Sequence, residues 1–495
     1  MKKMELKGRP RAVFMAFGTK GDVFPIAAIA ASLASDQKHY HVIFISHADH
    51  QADSKSIPFE MYKKKLQREH KQKCLYAITA VFGEGPSIKG DFIVINFFAL
   101  EGWSFAELYK IQCVVAAPYV VPYSAPSSYE NVFQKKFPML YKYLHEASGN
   151  EVCWNDVIHW MWPLFTEEWG TWRNESLLLS PLPFTDPVTN LPMWHIQEKS
   201  PLLLYGFSKE IVECPGYWPS NAHVCGFWFL PLEWQFSCSG CREILSSTSV
   251  YSIKKVVLCA NHTDLESFLV EKSSSCLPIF IGLSSIGRQA LKHFDMGLIK
   301  NPEAFLLVLK AVIEITSYRF ILFTAGYGPL DAAIQSISGS SSTSNTTSQS
   351  TLNCEKDCTL LFGDKLLCFS GSIPYAWLFV RCAAVVHHGG SGSTAAALHA
   401  GIPQILCPFI LDQFYWAERL FWLGVAPRPL ERHILVPDSN YTEVIKKSAE
   451  TFAKTINLAL LPSAKERALK VAEKLSSEVY IQLPHYLYRP RLSAS

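Results

Sequence analysis

Twice along this chain a short β-prone run breaks into a glycine-bearing turn and resumes as an alanine-rich helix, with another apolar run behind it. The first instance is Arg11–Phe17, then Gly18-Thr-Lys-Gly21-Asp22, a helical stretch over Pro25–Ala34 and a strand at His41–Ser46. The second is Ala383–Val386, a turn through His387–Gly392, a helix former over Ala395–Ala400 and a strand at Gln404–Cys407. Strands separated by whole helices cannot close as hairpins; they pair in parallel through crossovers. The pattern therefore predicts an α/β chain, and its restart predicts two doubly wound sheets. Phe92–Asn96, Cys113–Ala117 and Leu202–Tyr205 read as further strands of the first. Pro278–Gly282, Arg319–Thr324 and Leu366–Phe369 read as strands of the second, with a helix over Asn301–Thr316.

At 495 residues the chain exceeds what one core fills, so two domains are expected, 1–245 and 246–470, with a tail over 471–495 packing back on the first. Ser336–Gln349 is almost wholly Ser, Thr, Asn and Gly and reads as a flexible insertion. Ligands of such sheets lie beyond the carboxyl ends of the strands, here expected in a cleft between the domains.

Composition excludes several classes. A net charge of +3 gives no case for a nucleic-acid partner. Met1–Arg11 is polar and basic, unlike a secretory signal, and no apolar run is long enough to span a bilayer. A cytoplasmic protein, peripheral to membranes at most, is expected. Of the fourteen cysteines, Cys238-x-x-Cys241 and Cys354-x-x-x-Cys358 are spaced like metal ligands. No flanking histidine is found at ligand spacing, so they read as loop thiols and no metal is expected.

The densest chemical signal is Ala383-Ala-Val-Val-His387-His388-Gly389-Gly390-Ser391-Gly392-Ser393-Thr394. Glycines let a ligand approach the backbone, and the first N–H groups of a helix are unpaired donors at the positive end of its dipole. That is an anion site, fit to hold a diphosphate and stabilise it as a leaving group. His388 and the Ser391, Ser393 and Thr394 hydroxyls are expected to add donors. No Asp-x-Asp pair occurs, so the helix end is expected to serve where a carboxylate-held magnesium otherwise would. The rival reading is a turn that serves only strand–helix packing.

These residues, with Pro408-Phe-Ile-Leu-Asp412-Gln413-Phe-Tyr-Trp416-Ala-Glu418-Arg behind them, resemble the donor signature of the sterol 3-beta-glucosyltransferase family. Ile373-Pro-Tyr-Ala-Trp377-Leu-Phe is similar to the uridine-binding segment that precedes it. Phe17-Gly18-Thr19-Lys20-Gly21-Asp22-Val23 is similar to the family's Gly-Thr-Arg-Gly-Asp-Val loop. The resemblance implies a GT-B fold of two facing Rossmann-like domains, the first for the acceptor and the second for a UDP-sugar, and an inverting transfer. It implies that His388 and Gly389–Thr394 hold the diphosphate and that Asp412 and Gln413 bond the sugar. By the same resemblance the Ile373 main chain pairs with uracil, Ser285 sits by the phosphates, and Gly18, Thr19 and Gly21 belong to the substrate loop. UDP-glucose is then a substrate, and no cofactor is expected.

Direct displacement at the anomeric carbon needs a base for the acceptor hydroxyl. Asp22 is the strong candidate in the first turn, and the resemblance agrees. The rival is a carboxylate that only caps the following helix; His47 is a weaker reserve. Trp154, Trp160, Trp162, Trp169, Trp172 and Trp194 crowd one stretch. Most are expected in the core, with one or two lining a pocket for a flat apolar acceptor such as a sterol. Lys20 for Arg, Phe24 for Gln and Ser284 for Gly depart from the family pattern. A transferase for a soluble phenolic or terpenoid aglycone and a nucleotide-sugar-binding pseudoenzyme are the alternatives.

Overall fold

The computed structural model describes residues 9–36, 40–46, 59–83, 88–119, 125–148, 151–186, 188–189, 191, 193, 202–213, 218–219, 221–247, 256–270, 277–283, 299–324, 326–340 and 357–478. The chain divides into two units, one running to Phe229 and the other over Leu230–Glu478.

In the first unit, β1 (Arg11–Met15), β2 (His41–Ile45), β3 (Phe92–Ile95), β4 (Gln112–Ala117), β5 (Leu202–Tyr205) and β6 (Ala222–Val224) form a sheet. Its order is β2-β1-β3-β4-β5-β6, and every pair is parallel. A parallel sheet is covered on both faces, which explains the buried, largely apolar runs of β1, β3, β4 and β5. Ala12 and Phe14 of β1 pack on Ile26, Ile29 and Leu33 of the helix Lys20–Asp36. On the opposite face the helix Glu101–Tyr109 comes so close that a side chain at Gly102 would stand 2.4 Å from Ile95 Cγ2. The chain goes from β1 to β2 on one side and returns to β3 on the other, so the carboxyl ends of β1 and β3 flank the point where strand order reverses.

In the second unit, β7 (Ile279–Gly282), β8 (Phe320–Phe323), β9 (Cys358–Leu361), β10 (Leu366–Phe369), β11 (Ala384–His387) and β12 (Gln404–Leu406) run in the order β12-β11-β7-β8-β10-β9. Only β9, paired with β10, is antiparallel. Ile279 and Ile281 face the helices Pro302–Thr316 and Thr442–Ala459, while Phe280 between them faces Trp377 and Phe379. That alternation is the pleat of a strand buried on both sides. Here the reversal lies between β7 and β11, where the glycine turn begins.

The α/β expectation and the two-sheet division hold, with three corrections. The boundary falls at 229/230 rather than 245/246, because the helix Ser239–Ser247 packs with the second unit, Cys241 joining its core. The helix Pro462–Ser477 runs across the expected end at 470, carried by Ala468 and Leu475, which are buried; residues 479–495 lie outside the described set. Residues 336–340, taken for the start of a flexible insertion, complete the helix Gly328–Ser340, whose Leu330, Ala333 and Ile334 are in the core. Residues 341–349 are not described.

Candidate active site

The turn after β11 is built from below. His387 is fully buried; its Nε2 meets Gln404 Oε1 at 2.8 Å, and its Nδ1 accepts the Gly389 N–H at 3.1 Å. Those partners fix the tautomer, with the proton on Nε2. Burial holds the imidazole neutral by pushing its pKa down to about 4. Gly389 has φ +88°, and a Cβ there would stand 3.0 Å from the Gln413 carbonyl oxygen. A Cβ on Gly390 would stand 2.5 Å from His388 Nε2. Both glycines are therefore required by close approach.

The helix Ser391–Ala400 follows, with Gly390 as its N-cap and no side-chain cap. Its first internal bond runs from Thr394 N to Gly390 O at 3.0 Å. Among the described residues the N–H groups of Ser391, Gly392 and Ser393 donate to nothing. Thr394 Oγ1 is buried and has no partner. Three free amides and an orphaned hydroxyl at the positive end of a helix suit an anion with several oxygens. Ser393 has a structural duty instead, hydrogen bonding Tyr375.

His388 needs a qualification to its expected role as a donor. Burial and the neighbouring His387 push its pKa down to about 3, and its ring hydrogen-bonds the main chain of Gly282. A neutral imidazole has one N–H. With that N–H given to Gly282, the other nitrogen is an acceptor, so His388 shapes the turn and the donors it leaves open are the amides.

Asp412 precedes the helix Gln413–Leu423, and its Oδ2 accepts Trp416 Nε1–H at 3.1 Å. Gln413 Oε1 accepts the N–H groups of Phe409 and Ile410 at 2.9 and 3.1 Å, leaving its amide nitrogen to offer. Leu411, between Ile410 and Asp412, sits at φ +57°, a conformation costing a branched residue roughly 1–2 kcal/mol and common where a site fixes its backbone. Ile373 lies beyond β10 with its side chain buried in the core, yet neither its N–H nor its carbonyl is hydrogen bonded among the described residues. Ser285, with Ser284, lies outside them.

In the first unit, Gly18 has φ +108°, and a Cβ there would come within 2.7 Å of Asp22 Oδ2. Thr19 N–H and Oγ1–H both donate to that oxygen, at 2.6 and 2.7 Å. Asp22 is thus not the N-cap; it sits in the first turn and reaches back to Thr19, half of a capping box. Its other oxygen, Oδ1, accepts from no described residue. Burial raises the Asp22 pKa above the ordinary carboxylate value, opposed by the two bonds from Thr19. Gly21 lies within the same helical turn.

Asn96, at the end of β3, is a residue the sequence reading passed over. Fully buried, its Nδ2 donates to the carbonyls of Phe17 and Asp22 at 2.8 and 3.3 Å, and its Oδ1 accepts Phe17 N–H at 3.3 Å. It clamps the Asp22 loop to the next strand. The rule that sites gather at carboxyl strand ends could have singled it out. Beside it lie Phe97 and Phe98, whose rings contact Tyr119 beyond β4; Phe98 is 47% exposed. Trp154 and Trp160 are buried, Trp160 edge-on to Trp103 at 5.5 Å, and belong to the packed interior. Lys71 covers Trp169 and Trp172. Trp194 and His47 are outside the described residues.

Two parallel α/β units, each with a polar turn at its strand-order reversal, match the GT-B glycosyltransferase fold. The calicheamicin glycosyltransferase CalG4 superposes with TM-score 0.53 at 14% identity, covering 98% of this chain and 100% of that one. The kitacinnamycin glycotransferase gives 0.51 at 12%, covering 95% and 96%. In sequence, residues 367–452 match the family model of the erythromycin biosynthesis protein CIII-like C-terminal domain. A sterol 3-beta-glucosyltransferase of Arabidopsis thaliana is 25% identical over 486 residues, 90% of this chain and 62% of the plant protein. One from Komagataella phaffii is 24% identical over 477 residues, 90% of this chain and 33% of the yeast protein. The O-mycaminosyltylonolide 6-deoxyallosyltransferase of Streptomyces fradiae is 26% identical over 387 residues, 74% of this chain and 70% of that protein. The chain thus spans less than two thirds of the plant relative and about a third of the yeast one. These matches show the GT-B glycosyltransferase fold and a sequence similarity to the sterol 3-beta-glucosyltransferases and to a macrolide glycosyltransferase. The plant and yeast sterol 3-beta-glucosyltransferases align along nine tenths of this chain's length.

Proposed function

We propose that the chain is an inverting glycosyltransferase that moves glucose from UDP-glucose to the hydroxyl of a sterol or a similar apolar alcohol. The observation that carries the donor half is the set of unbonded amides at Ser391–Ser393 with the orphaned Thr394 hydroxyl. Buried polar groups without partners are costly, and a diphosphate would satisfy them together. The main-chain N–H and carbonyl of Ile373, unbonded among the described residues, offer one donor and one acceptor, which suits the edge of uracil. Asp412 and the Gln413 amide nitrogen supply an acceptor and donors for sugar hydroxyls.

In the reaction the acceptor oxygen attacks the anomeric carbon while its proton passes to Asp22 Oδ1. The bond from that carbon to the β-phosphate oxygen breaks, and its electron pair leaves with the phosphate. Amides aimed at the departing oxygens stabilise the charge as it develops. Asp22 has one oxygen held by Thr19 and one unengaged among the described residues, and its raised pKa makes it a better proton acceptor than an ordinary carboxylate. The exposed aromatic edges of Phe24 and Phe98 near this loop favour an apolar acceptor, and suit one collected from a lipid surface. Among the described residues no helix is long and apolar enough to cross a membrane.

The test is UDP release from UDP-glucose with a detergent-dispersed sterol, set beside a flavonoid. Sterol-dependent release that Asp22→Asn abolishes is expected. A preference for the flavonoid would remove the sterol assignment. Nucleotide binding with no release under any acceptor would make the chain a binding protein.

A further inference from the structure

Cys238 and Cys241 were expected to be plain loop thiols, with Cys354 and Cys358 the nearest comparable pair. The fold gives them different company. Cys259 and His262, spaced x-x like the first pair, fold onto them, so that three thiol sulfurs and one imidazole nitrogen lie within 4.8 Å of one another. Cys238 Sγ is 3.5 Å and Cys241 Sγ 3.6 Å from Cys259 Sγ. His262 Nδ1 is 3.5 Å from Cys241 Sγ and 3.3 Å from Cys259 Sγ. Cys354 lies outside the described residues.

We propose that Cys238, Cys241, Cys259 and His262 bind one zinc ion in a closed, structural site. Zinc takes sulfur at about 2.3 Å and imidazole nitrogen at about 2.0–2.1 Å in a tetrahedron, whose edges are then about 3.8 Å between sulfurs and about 3.6 Å from sulfur to nitrogen. The observed separations fall close to those edges. They are far too long for a disulfide, whose sulfurs sit about 2.05 Å apart.

The surrounding chain is shaped to the cluster. Cys238 and Cys241 bracket the start of the helix Ser239–Ser247, and Cys259 and His262 bracket a short 3-10 turn leading into the helix Thr263–Val270. Each pair is thus a knuckle at a helix start, where the dipole favours thiolates. Gly240 inside the first knuckle has no room for more: a Cβ would stand 3.2 Å from Cys259 Cβ and 3.3 Å from its sulfur. Cys241 and His262 are buried. On binding, the three thiols release their protons to solvent and Zn²⁺ takes their place, with no oxidation or reduction. Four protein ligands leave no open position, so the metal's work is to hold structure.

What it holds is the entry to the second unit. Val256 and Leu258, next to Cys259, pack in one core with Trp377, and the Val256 carbonyl accepts Trp377 Nε1–H at 2.8 Å and Arg381 Nη2–H at 3.2 Å. The metal would therefore staple residues 238–247 and 256–262 onto the helix Tyr375–Phe379, which begins just after Ile373.

The test is metal content. The full chain, purified under reducing conditions without chelator, is analysed by plasma mass spectrometry and is expected to carry one zinc per chain. Cobalt exchanged into the wild-type protein should show the intense visible bands of tetrahedral thiolate coordination. Cys241→Ser and Cys259→Ser should lose the metal, His262→Cys should keep it in a four-thiolate site, and Cys153→Ser, in the other unit, should be unaffected. If the serine variants aggregate, the cobalt spectrum of the wild-type chain still decides. A reduced wild-type chain with neither zinc nor cobalt uptake, or one whose four ligands are recovered with a disulfide and no metal, overturns the proposal. None of these readouts depends on glycosyl transfer.

Discussion

Gly389→Ala offers a direct test of whether the turn after β11 grips the donor. The glycine stands at φ +88°, where an L-residue is strained by about 1–2 kcal/mol. The new methyl would also press at 3.0 Å on the Gln413 carbonyl oxygen, which is backbone and cannot rotate away. About another 1 kcal/mol for that contact gives roughly 2–3 kcal/mol against the native turn. The chain escapes by rotating the turn, which moves the amides of Ser391–Ser393 and shifts the Asp412–Gln413 loop on the other side of the contact. Donor affinity should fall by roughly 30- to 150-fold, since about 1.4 kcal/mol is a factor of ten. Calorimetric titration with UDP-glucose measures it. The control is Gly401→Ala at the far end of the same helix: φ is +65°, with Leu469 Cδ2 3.1 Å from the added carbon. It should lower the melting temperature comparably and leave donor affinity within about threefold. A Gly389→Ala protein that is folded and binds UDP-glucose like wild type would refute the assignment of the turn.

Other perturbations test separate links. Asp22→Asn should cut turnover by about 10²- to 10⁴-fold with donor affinity kept, and the wild-type kcat/KM should fall on acidification through an apparent pKa above the ordinary carboxylate range; a limb at that ordinary value would contradict the buried base. Thr394→Val removes a buried hydroxyl that has no partner in the free protein, so thermal stability should hold or rise while UDP affinity falls about five- to tenfold; a loss of stability would mean the hydroxyl is already bonded. Asn96→Ala should lower kcat by loosening the Asp22 loop while leaving the KM for UDP-glucose unchanged, which equal losses in both would contradict. His387 is held neutral, its native pKa below the unfolded one, so its contribution to stability is complete above about pH 6.5 and is lost as pH falls toward 4. Denaturant melts should show about 2 kcal/mol of its contribution lost between pH 7 and 5, absent in His387→Gln; identical pH slopes would count against it.

The fold was legible because the signals were local. Most of the strands are largely apolar runs bounded by turns, and a parallel sheet demands that. β6 is three residues with a histidine at its centre, and β9 is a partly exposed edge strand, so neither carries that mark. The glycine turn was legible because glycine is chosen by backbone geometry, and backbone geometry is written in single residues. What hid was everything made by meeting. Asn96 is an ordinary asparagine until β3 lies beside β1. The reach of Gln413 Oε1 to the N–H groups behind it, and the neutral state of His388, follow from burial that no motif states. His262 escaped notice because it was sought near the first cysteine pair, and it arrives beside a third cysteine about twenty residues on.

Each polar turn is completed by its own neighbours: Asp22 by Thr19 and Asn96, the glycine turn after β11 by His387, Gln404 and Gly282. A lineage can therefore redraw the face that meets one reactant and leave the grip on the other intact. Diversity of products in proteins built this way should gather in the leading half, while the trailing half changes slowly.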